Sequence, residues 1–507
     1  MKLSGPILKN IDSKILSSLQ EIAPRVAKKD INVWGNKSEA ANRLNWIDLP
    51  TKSRDLLPEL DALSAWARSN GLTQIILCGM GGSSLAPEVI AASYKKQLTT
   101  LDSTDPIQIL DSLPNEIRKA VVVIGSKSGT TIETLSQFEF YQRRFKEADL
   151  NPIQHIVIIT DPGTPLDISA RNLGYKVVNS DPNVGGRFSA LSAFGLVPAA
   201  LIGVDISLLL DDAEKLSSSI SVKESPAIAI AACLYSLTDQ IINFCDKGSV
   251  TPGLSNWIEQ LIAESTGKDL TGRLPVVIEE VESAISGITV GFTPGEYDLV
   301  IEATLGEQFI LWEWVTALLC YLLKVNPFNQ PNVTEAKEAT SMILSEWSNK
   351  LPELIAPSVD EDVEIFGDGN TLVAALKNLI ATTDAQGYIA IMAYLDRRDD
   401  AAIAKLRAIL SDKSGRPVSF GWGPRFLHST GQFHKGGQQN GSFLQITGEC
   451  KNNFAIPGRD FDFKTLLMAQ ALGDARALAT RKYPLLRLHL SNRIAGIDQI
   501  LNAAQGL

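Results

Sequence analysis

Short apolar runs that alternate with helical stretches constrain this chain more than any other feature of its sequence. Because the runs lack the polar and apolar alternation of a half-exposed sheet, both faces of the sheet they form must be covered. The pattern predicts a doubly wound α/β domain, with a parallel sheet and helices on both faces. The runs read as strands are residues 74–78, 106–110, 120–125, 155–160 and 175–178.

The second half of the chain repeats this pattern after a helical stretch at about 189–244. Strand-like runs return at residues 275–279, 299–302, 388–394, 418–422 and 443–447. A chain of 507 residues exceeds what one hydrophobic core usually holds. We therefore predict a helical segment at 1–70, a first α/β domain at 71–209, a second at 210–450 and C-terminal helices at 451–507.

Composition argues against several classes of partner. The formal net charge of −10 favours neither nucleic acid nor an anionic membrane. The apolar runs 227–237 and 311–323 are too short to span a bilayer, and the first twenty residues do not resemble a signal peptide. The five cysteines are scattered and form no CxxC pair, which is typical of a cytoplasmic protein without disulfides or zinc.

A glycine-rich turn follows the first strand, where residues 79–84 read GMGGSS. Glycines let a backbone approach a ligand closely, and the helix that follows offers free N–H groups to an anion. We expect Gly81, Gly82 and Ser83 to bind a substrate there. A dinucleotide fingerprint is incomplete because Ser84 stands where a third glycine belongs, and a tight turn without a ligand remains the alternative.

A turn rich in hydroxyl groups follows the strand at 120–125. Residues 126–134 read SKSGTTIET, with five hydroxyls and one ammonium group around a glycine. Short Ser and Thr donors at a helix start suit the oxygens of a phosphate monoester. No Walker A pattern accompanies them, so a nucleoside triphosphate is not expected. An ordinary helix cap needs one such residue, whereas the predicted phosphate site comprises Ser126, Lys127, Ser128, Thr130 and Thr131.

These turns and three later motifs resemble the phosphoglucose isomerase family, over most of residues 72–447. The further motifs are GGRFSALSAFG at 185–195, ESTGK at 264–268, and LGEQFILWEWV with NPFNQPNVTEAK within 305–337. The resemblance implies two sugar-isomerase (SIS-type) domains with additional N- and C-terminal helices. It is greatest to the isomerase half of bifunctional transaldolase–phosphoglucose isomerase proteins, although no transaldolase-like half is present.

The resemblance implies an aldose–ketose isomerase that interconverts glucose 6-phosphate and fructose 6-phosphate in glycolysis and gluconeogenesis. The reaction moves a proton between C1 and C2 through a cis-enediol(ate), and it requires neither metal nor redox cofactor. By the motif matches, Glu264 is the base, Arg187 steadies the enediolate and Lys337 opens the ring. Gln330 contacts the phosphate, although the family's Trp-Gly after this glutamine is replaced here by Pro331 and Asn332.

The catalytic histidine is where the chain departs from the family pattern. The family histidine usually lies between the glutamate and lysine motifs, and this chain has no histidine there. The stretch LHSTGQFHKGG at 427–437 supplies two candidates, His434, which we prefer, and His428. In the family this histidine reaches the site from a neighbouring subunit, so a homodimer with a shared active site is expected.

Other functions remain open at this point. A non-catalytic sugar-phosphate sensor would keep the hydroxyl-rich turn but need not keep Glu264, Arg187 and Lys337 together. A nicotinamide oxidoreductase would bind NAD at the first glycine turn. An isomerase that also accepts mannose 6-phosphate has the same motifs.

Overall fold

A computed structural model describes residues 1–35, 39–348 and 350–507 of the chain. Helices cover three sheets, and the mixed α/β class with parallel sheets predicted from the sequence is confirmed. The strands are β1 Lys2–Ser4, β2 Gln74–Gly79, β3 Thr99–Leu101, β4 Ala120–Gly125, β5 Ile156–Thr160, β6 Lys176–Asn179, β7 Ile241–Cys245, β8 Leu274–Val277, β9 Ile288–Gly291, β10 Leu299–Glu302, β11 Ser358–Asp360, β12 Val363–Phe366, β13 Tyr388–Tyr394, β14 Val418–Trp422, β15 Gly441–Gly448 and β16 Leu485–Leu490.

The α-helices alternate with these strands along the chain. They are α1 Ser13–Ala27, α2 Leu49–Lys52, α3 Leu57–Ser69, α4 Leu85–Ser93, α5 Pro106–Asp111, α6 Ile132–Glu147, α7 Pro165–Asn172, α8 Ala193–Leu201, α9 Ile206–Ser217, α10 Pro226–Tyr235, α11 Leu254–Thr266, α12 Leu305–Leu323, α13 Pro331–Glu346, α14 Leu372–Thr382, α15 Leu406–Ser414, α16 Gly431–Gly436, α17 Phe463–Thr480 and α18 Arg493–Gln505. None of the described helices combines the length and apolarity that crossing a bilayer demands.

The first sheet is wholly parallel, in the order β3-β2-β4-β5-β6. Strands β2 and β4 are neighbours whose connections run in opposite directions across the sheet. Ligands of doubly wound folds bind at the carboxyl ends of such a pair, because the diverging loops leave a crevice between them. The two polar turns found in the sequence, after β2 and after β4, both border this crevice.

The second half of the chain forms two sheets, where we expected the strands of one domain at 210–450. One has the order β1-β10-β9-β7-β8, and the other has the order β11-β12-β16-β15-β13-β14. Strand β7 lies at the end of the stretch expected to be helical at 189–244. The N-terminal strand β1 pairs antiparallel with β10, so the segment 1–70 is not purely helical. The segment 451–507 is not purely helical either, because β16 lies between β12 and β15.

The predicted strand at 106–110 is wrong, because these residues form helix α5. The carboxylate of Asp105 accepts a hydrogen bond from the backbone N–H of Ile107 at 2.8 Å, and Pro106 takes the first helical position. An Asp cap followed by proline is a favourable helix start. The sheet's edge strand is instead the three-residue β3.

Apolar packing joins the first two sheets around a buried helix. Helix α12 is buried over most of its length, and its side chains share one continuous core with Leu77 of β2, Val123 of β4 and Phe244 of β7. A second core on the other face of the first sheet includes Phe463 and Leu466 of α17. The loops at the sheets' carboxyl ends are therefore carried by rigid layers.

Candidate active site

A cavity of about 560 Å³ opens at the carboxyl ends of β2 and β4. Turns from the first sheet form one side, and helix α11, the segment before α13 and the loop after β14 form the other. The lining residues are Arg43, Met80, Gly82, Ser83, Gly125, Lys127, Ser128, Thr131, Asp161, Gly185, Gly186, Arg187, Gln260, Glu264, Phe328, Asn329, Gln330, Pro331, Thr334, Lys337 and His428.

Close backbone contact explains the glycines of the first turn. A Cβ atom on Gly82 would lie 2.2 Å from the carbonyl oxygen of Gly186, so two cavity-forming turns meet where only glycine fits. Gly81 has a φ of 55°, a conformation that favours glycine, and a Cβ there would lie 2.7 Å from the carbonyl oxygen of His428. Gly82 and Ser83 line the cavity, whereas Gly81 serves to bring the turn against the histidine loop.

The hydroxyl-rich turn contributes Lys127, Ser128 and Thr131 to the cavity. Ser126 is buried behind it, and its hydroxyl donates to Oγ1 of Thr131 at 3.1 Å. Thr130 does not line the cavity, and its hydroxyl pairs with that of Ser128 at 2.9 Å. Thr131 occupies the N-cap position of helix α6, so the positive end of that helix adjoins the hydroxyl groups. This combination can hold a dianionic phosphate.

An ion pair joins Lys127 to a residue that the sequence reasoning did not select. Its Nζ atom lies 2.8 Å from the carboxylate of Asp161, which follows β5 and also lines the cavity. Burial lowers the pKa of Lys127 and raises that of Asp161, while their mutual attraction opposes both shifts. A bound phosphate would compete with Asp161 for this ammonium group.

Arg187 and Glu264 form a buried ion pair inside the cavity. Glu264 lies in the last turn of α11, and its Oε1 is 2.9 Å from Nη1 of Arg187. Its other oxygen accepts from Gln260, one turn earlier, at 3.1 Å. Both side chains are at least 93% buried. The carboxylate is thus held in one orientation with a guanidinium beside it, the arrangement expected of a base next to a developing oxyanion.

Two buried cations anchor the segment that leads into α13. Arg187 donates through Nη2 to the carbonyl oxygens of Phe328 and Asn329, at 3.0 and 3.1 Å. Lys268, from the same motif as Glu264, donates to the carbonyl of Asn326, and burial lowers its pKa to about 7. These bonds fix the chain just before Gln330 and helix α13.

The same segment delivers Gln330 and Lys337 to the cavity. Gln330 precedes the first turn of α13, and Lys337 lies on that helix with its side chain exposed. Pro331 occupies the first helical position, where the missing N–H costs nothing. Asn332 accepts from the side chain of Gln432 at 2.8 Å and donates its backbone N–H back to that side chain at 3.0 Å. The departure from the family's Trp-Gly is therefore accommodated by a reciprocal contact.

His428 reaches the cavity from the loop after β14, and a carboxylate orients it. Its Nε2 lies 3.0 Å from Oε1 of Glu133, which also accepts from Gln470 at 2.7 Å. Burial raises the pKa of Glu133, but the charge and hydrogen bond of His428 outweigh it, and the net pKa is lowered. The backbone carbonyl of His428 accepts from Gln260, which also holds Glu264. One glutamine thus couples the histidine loop to the proposed base.

Our preference for His434 over His428 is not supported by the geometry. His434 lies on the short helix α16, is 3% exposed and does not line the cavity. Its Nδ1 is 2.9 Å from the hydroxyl of Tyr388, and the two rings stack at a centroid distance of 5.7 Å. Burial lowers the pKa of His434 to about 3, with Lys435 adding to the shift. The cavity receives His428 from its own chain.

The structure brings most of the candidate residues into one cavity. Those that line it are Gly82, Ser83, Lys127, Ser128, Thr131, Arg187, Glu264, Gln330, Lys337 and His428, whereas Gly81, Ser126, Thr130 and His434 lie outside its lining. Sequence reasoning missed Glu133, Gln260, Asp161 and Arg43. Glu133 was within the quoted SKSGTTIET stretch, and an acidic residue beside a phosphate turn was the available signal. No such signal marked Arg43, which reaches the cavity from the loop before α2.

Comparison with known proteins finds similar proteins of one family. A family model described as phosphoglucose isomerase matches residues 31–284. A glucose-6-phosphate isomerase of Trichormus variabilis is 26% identical over 422 residues, which cover 65% of this chain and 80% of that protein. A probable glucose-6-phosphate isomerase of Natronomonas pharaonis is 32% identical over 271 residues, 51% of this chain and 61% of that protein. The crystal structure of a glucose-6-phosphate isomerase from Chlamydia trachomatis is similar in fold, with a TM-score of 0.57 and 18% identity over 68% of this chain and 88% of that one.

Proposed function

Because the chain belongs to the phosphoglucose isomerase family, we propose that it interconverts glucose 6-phosphate and fructose 6-phosphate through a cis-enediol(ate). The observation that carries this proposal is the buried pair of Glu264 and Arg187. The same cavity contains hydroxyl groups that can donate hydrogen bonds to a phosphate. A sugar-phosphate sensor would need only the groups that bind the phosphate. A base and an oxyanion stabiliser in one buried pair are what aldose–ketose isomerisation requires.

The phosphate end of the substrate binds at the turn after β4. Ser128 and Thr131 donate hydroxyl hydrogen bonds, and the start of α6 adds its free N–H groups. Lys127 exchanges its contact with Asp161 for one with the phosphate. Since the phosphate does not react, its binding energy serves to orient the sugar carbons toward Glu264.

Glu264 transfers the proton between the two sugar carbons. From open-chain glucose 6-phosphate it removes the proton on C2, and the carbonyl oxygen on C1 gains negative charge. A proton then passes from the C2 hydroxyl to the C1 oxygen, and Glu264 returns its proton to C1 to give fructose 6-phosphate. Arg187 lies beside the carboxylate and stabilises the enediolate oxygen. Gln260 holds Glu264 through its second oxygen, so the base keeps its orientation as its charge changes.

Ring opening precedes proton transfer and falls to His428 and Lys337. A ring opens when its oxygen gains a proton and the C1 hydroxyl loses one, which calls for an acid and a base on the same edge of the sugar. His428 is the acid we propose, because Glu133 orients it and it lines the cavity. Lys337 lines the same cavity and acts on the hydroxyl group.

We also propose that the chain is closest to the isomerase half of bifunctional transaldolase–phosphoglucose isomerase proteins. The support is the LHSTGQFHKGG stretch, which places the histidine after Lys337 in sequence. A cytoplasmic homodimer is the expected form. Sedimentation at micromolar concentration tests it, and a monomer that retains full activity would exclude an obligatory shared site.

A coupled assay tests the proposed reaction. Fructose 6-phosphate is supplied, and glucose 6-phosphate is detected by a dehydrogenase that does not accept the ketose. We expect turnover with hydrogen exchange from deuterated water at C2 of the product, as an enediol(ate) requires. Mannose 6-phosphate in a parallel assay measures specificity. Saturable binding of fructose 6-phosphate without turnover would instead identify a sensor.

A further inference from the structure

Three aspartates from two distant parts of the chain meet outside the cavity. Asp111 ends helix α5, and Asp396 and Asp399 lie in the turn after β13. One carboxylate oxygen of each lies within 4.8 Å of the others. Asp111 and Asp399 reach the surface, while Asp396 is 0% exposed. The sequence could not reveal this cluster, since Asp111 and Asp396 are 285 positions apart.

Asp396 has an oxygen that nothing in the described part of the chain satisfies. Its Oδ1 accepts from the backbone N–H groups of Arg398 and Asp399, at 2.8 and 2.6 Å. Its Oδ2 is buried and has no hydrogen-bond partner among the described residues. A buried carboxylate oxygen without a donor is costly, because it has lost water without gaining a replacement. This atom therefore calls for a positively charged partner.

Two of the nearby arginines pair with other carboxylates, and Arg398 is exposed. Arg397 pairs with Glu88, and Arg493 pairs with Asp105 and Asp400. Among the described residues, no lysine or arginine forms an ion pair with Asp111, Asp396 or Asp399. The cluster thus carries excess negative charge.

We propose that these three aspartates bind a divalent cation that prefers oxygen ligands, with Ca²⁺ the best fit. Ca²⁺ takes oxygen ligands at about 2.3–2.6 Å, so oxygens on opposite sides of the ion lie about 4.6–5.2 Å apart. Mg²⁺ takes them at about 2.0–2.1 Å and spans only about 4.0–4.2 Å. Three oxygens whose separations reach 4.8 Å each lie up to about 2.8 Å from a central ion, so a small inward shift of the two surface carboxylates brings all three within reach of Ca²⁺. Water completes the coordination at the exposed side.

The ion has a structural role in this proposal. None of the three aspartates lines the catalytic cavity. Asp111 belongs to the first sheet's helices, whereas Asp396 and Asp399 follow the central strand β13 of the third sheet. A cation shared among them links these two layers, and it stabilises the folded chain because the unfolded chain does not bring the ligands together.

Calorimetric titration of the full-length chain with CaCl₂ tests the site, after treatment with EDTA and dialysis. We expect one saturable site with Kd of about 10⁻⁴–10⁻³ M, the range of calcium sites with few carboxylates, and weaker binding of MgCl₂. CaCl₂ should also raise the melting temperature. Asp399→Asn should abolish both effects, while Asp412→Asn, which removes an exposed carboxylate on α15, should leave them unchanged.

The metal-free proteins provide a second readout. Without cations, Asp399→Asn should melt at the same temperature as the unmodified chain or above it, because the substitution relieves repulsion within the cluster. Asp111→Asn, also at the surface, should behave the same way. Agreement between the two variants would show that the result is not due to a folding defect in one of them. Turnover of folded enzyme should not depend on CaCl₂, since the cluster is outside the cavity.

Several results would overturn the proposal. One is the absence of saturable Ca²⁺ binding, and another is equal binding by Asp399→Asn. Tighter binding of MgCl₂ than of CaCl₂ contradicts the choice of ion. If NaCl at matched ionic strength raises the melting temperature as much as CaCl₂ does, the effect is general screening of charge and not binding at a specific site. A change in turnover with CaCl₂ would contradict the structural role.

Discussion

The Nη1 atom of Arg187 lies 2.9 Å from Oε1 of Glu264, and both side chains are almost completely buried. These residues are 77 positions apart in the sequence and come from the turn after β6 and from helix α11. The pair places the carboxylate base, Glu264, beside the guanidinium of Arg187, which stabilises the negative charge that develops on the substrate when the base removes a proton.

Arg187→Lys should lower kcat by about 10²–10³-fold, the loss typical of removing one oxyanion donor. Lysine keeps the charge but cannot contact Glu264 and the carbonyls of Phe328 and Asn329 at once. Steady-state kinetics measures the effect. Arg43→Lys is the matched control, because Arg43 lines the same cavity outside this pair and its change should cost less. Equal losses in the two variants would contradict the role of Arg187.

Thr131→Ala should raise KM by about tenfold or more, since a hydrogen bond to a charged phosphate is lost. Some decrease in kcat should accompany it, because the phosphate orients the reacting carbons. Thr130→Ala, whose hydroxyl pairs with Ser128 and does not line the cavity, should leave KM nearly unchanged. An unaltered KM in Thr131→Ala would exclude this turn as the phosphate site.

His428→Ala should lower turnover of the cyclic substrate by about 10²-fold or more, as expected for a lost general acid. Glu133→Gln should act in the same direction and less strongly, because it removes the partner that orients the imidazole. The readout specific to ring opening is the ratio of rates on cyclic substrate and on an acyclic analogue. If His428→Ala reduces both rates equally, its assignment to ring opening is wrong.

His434 should affect stability and its pH dependence. Its folded-state pKa of about 3 lies below the ordinary value of 6.5, so the folded chain keeps the imidazole neutral while the unfolded chain binds a proton below pH 6.5. The contribution is therefore intact above pH 6.5 and is lost as the pH falls toward 3, by up to about 1.4 kcal/mol per unit. Between pH 7 and pH 5 the loss is about 2 kcal/mol.

Denaturant unfolding of the unmodified chain and of His434→Gln at both pH values measures this contribution. The glutamine can retain a hydrogen bond to Tyr388 and does not titrate. The free energy of unfolding should therefore fall less in the variant between pH 7 and pH 5. Identical decreases in the two proteins would show that His434 titrates normally. Catalysis at pH 7 should be little affected by this substitution.

Local sequence patterns predicted the strands and turns whose formation depends on residues close together in the chain. The consecutive apolar residues at 74–78 and 120–125, each followed by a turn and a helix, were predicted as buried parallel strands, and the two strands are neighbours in the first sheet. The run at 106–110 misled because five apolar-rich residues fit a strand as well as a helix. Asp105 and Pro106 together were the helix signal that decides such a case.

Long-range pairing was beyond the reach of the sequence pattern. Strand β1 pairs with β10 across about 300 residues, and β16 enters the third sheet from a segment expected to be helical. Local patterns could not separate His428 from His434 for a related reason. The two lie six positions apart in one polar loop, and the packing of α16 against Tyr388 determines which of them faces the cavity.

The most direct test of the account is the rate of fructose 6-phosphate isomerisation by Glu264→Gln. Its control is Glu259→Gln on the same helix. Burial raises the pKa of Glu259 to about 8, so its carboxyl is mostly neutral at pH 7, and it does not line the cavity. We expect Glu264→Gln to lower kcat by about 10²–10⁴-fold while substrate still binds, and Glu259→Gln to remain close to the unmodified enzyme. Near-normal turnover by Glu264→Gln would contradict the central claim that this carboxylate moves the proton.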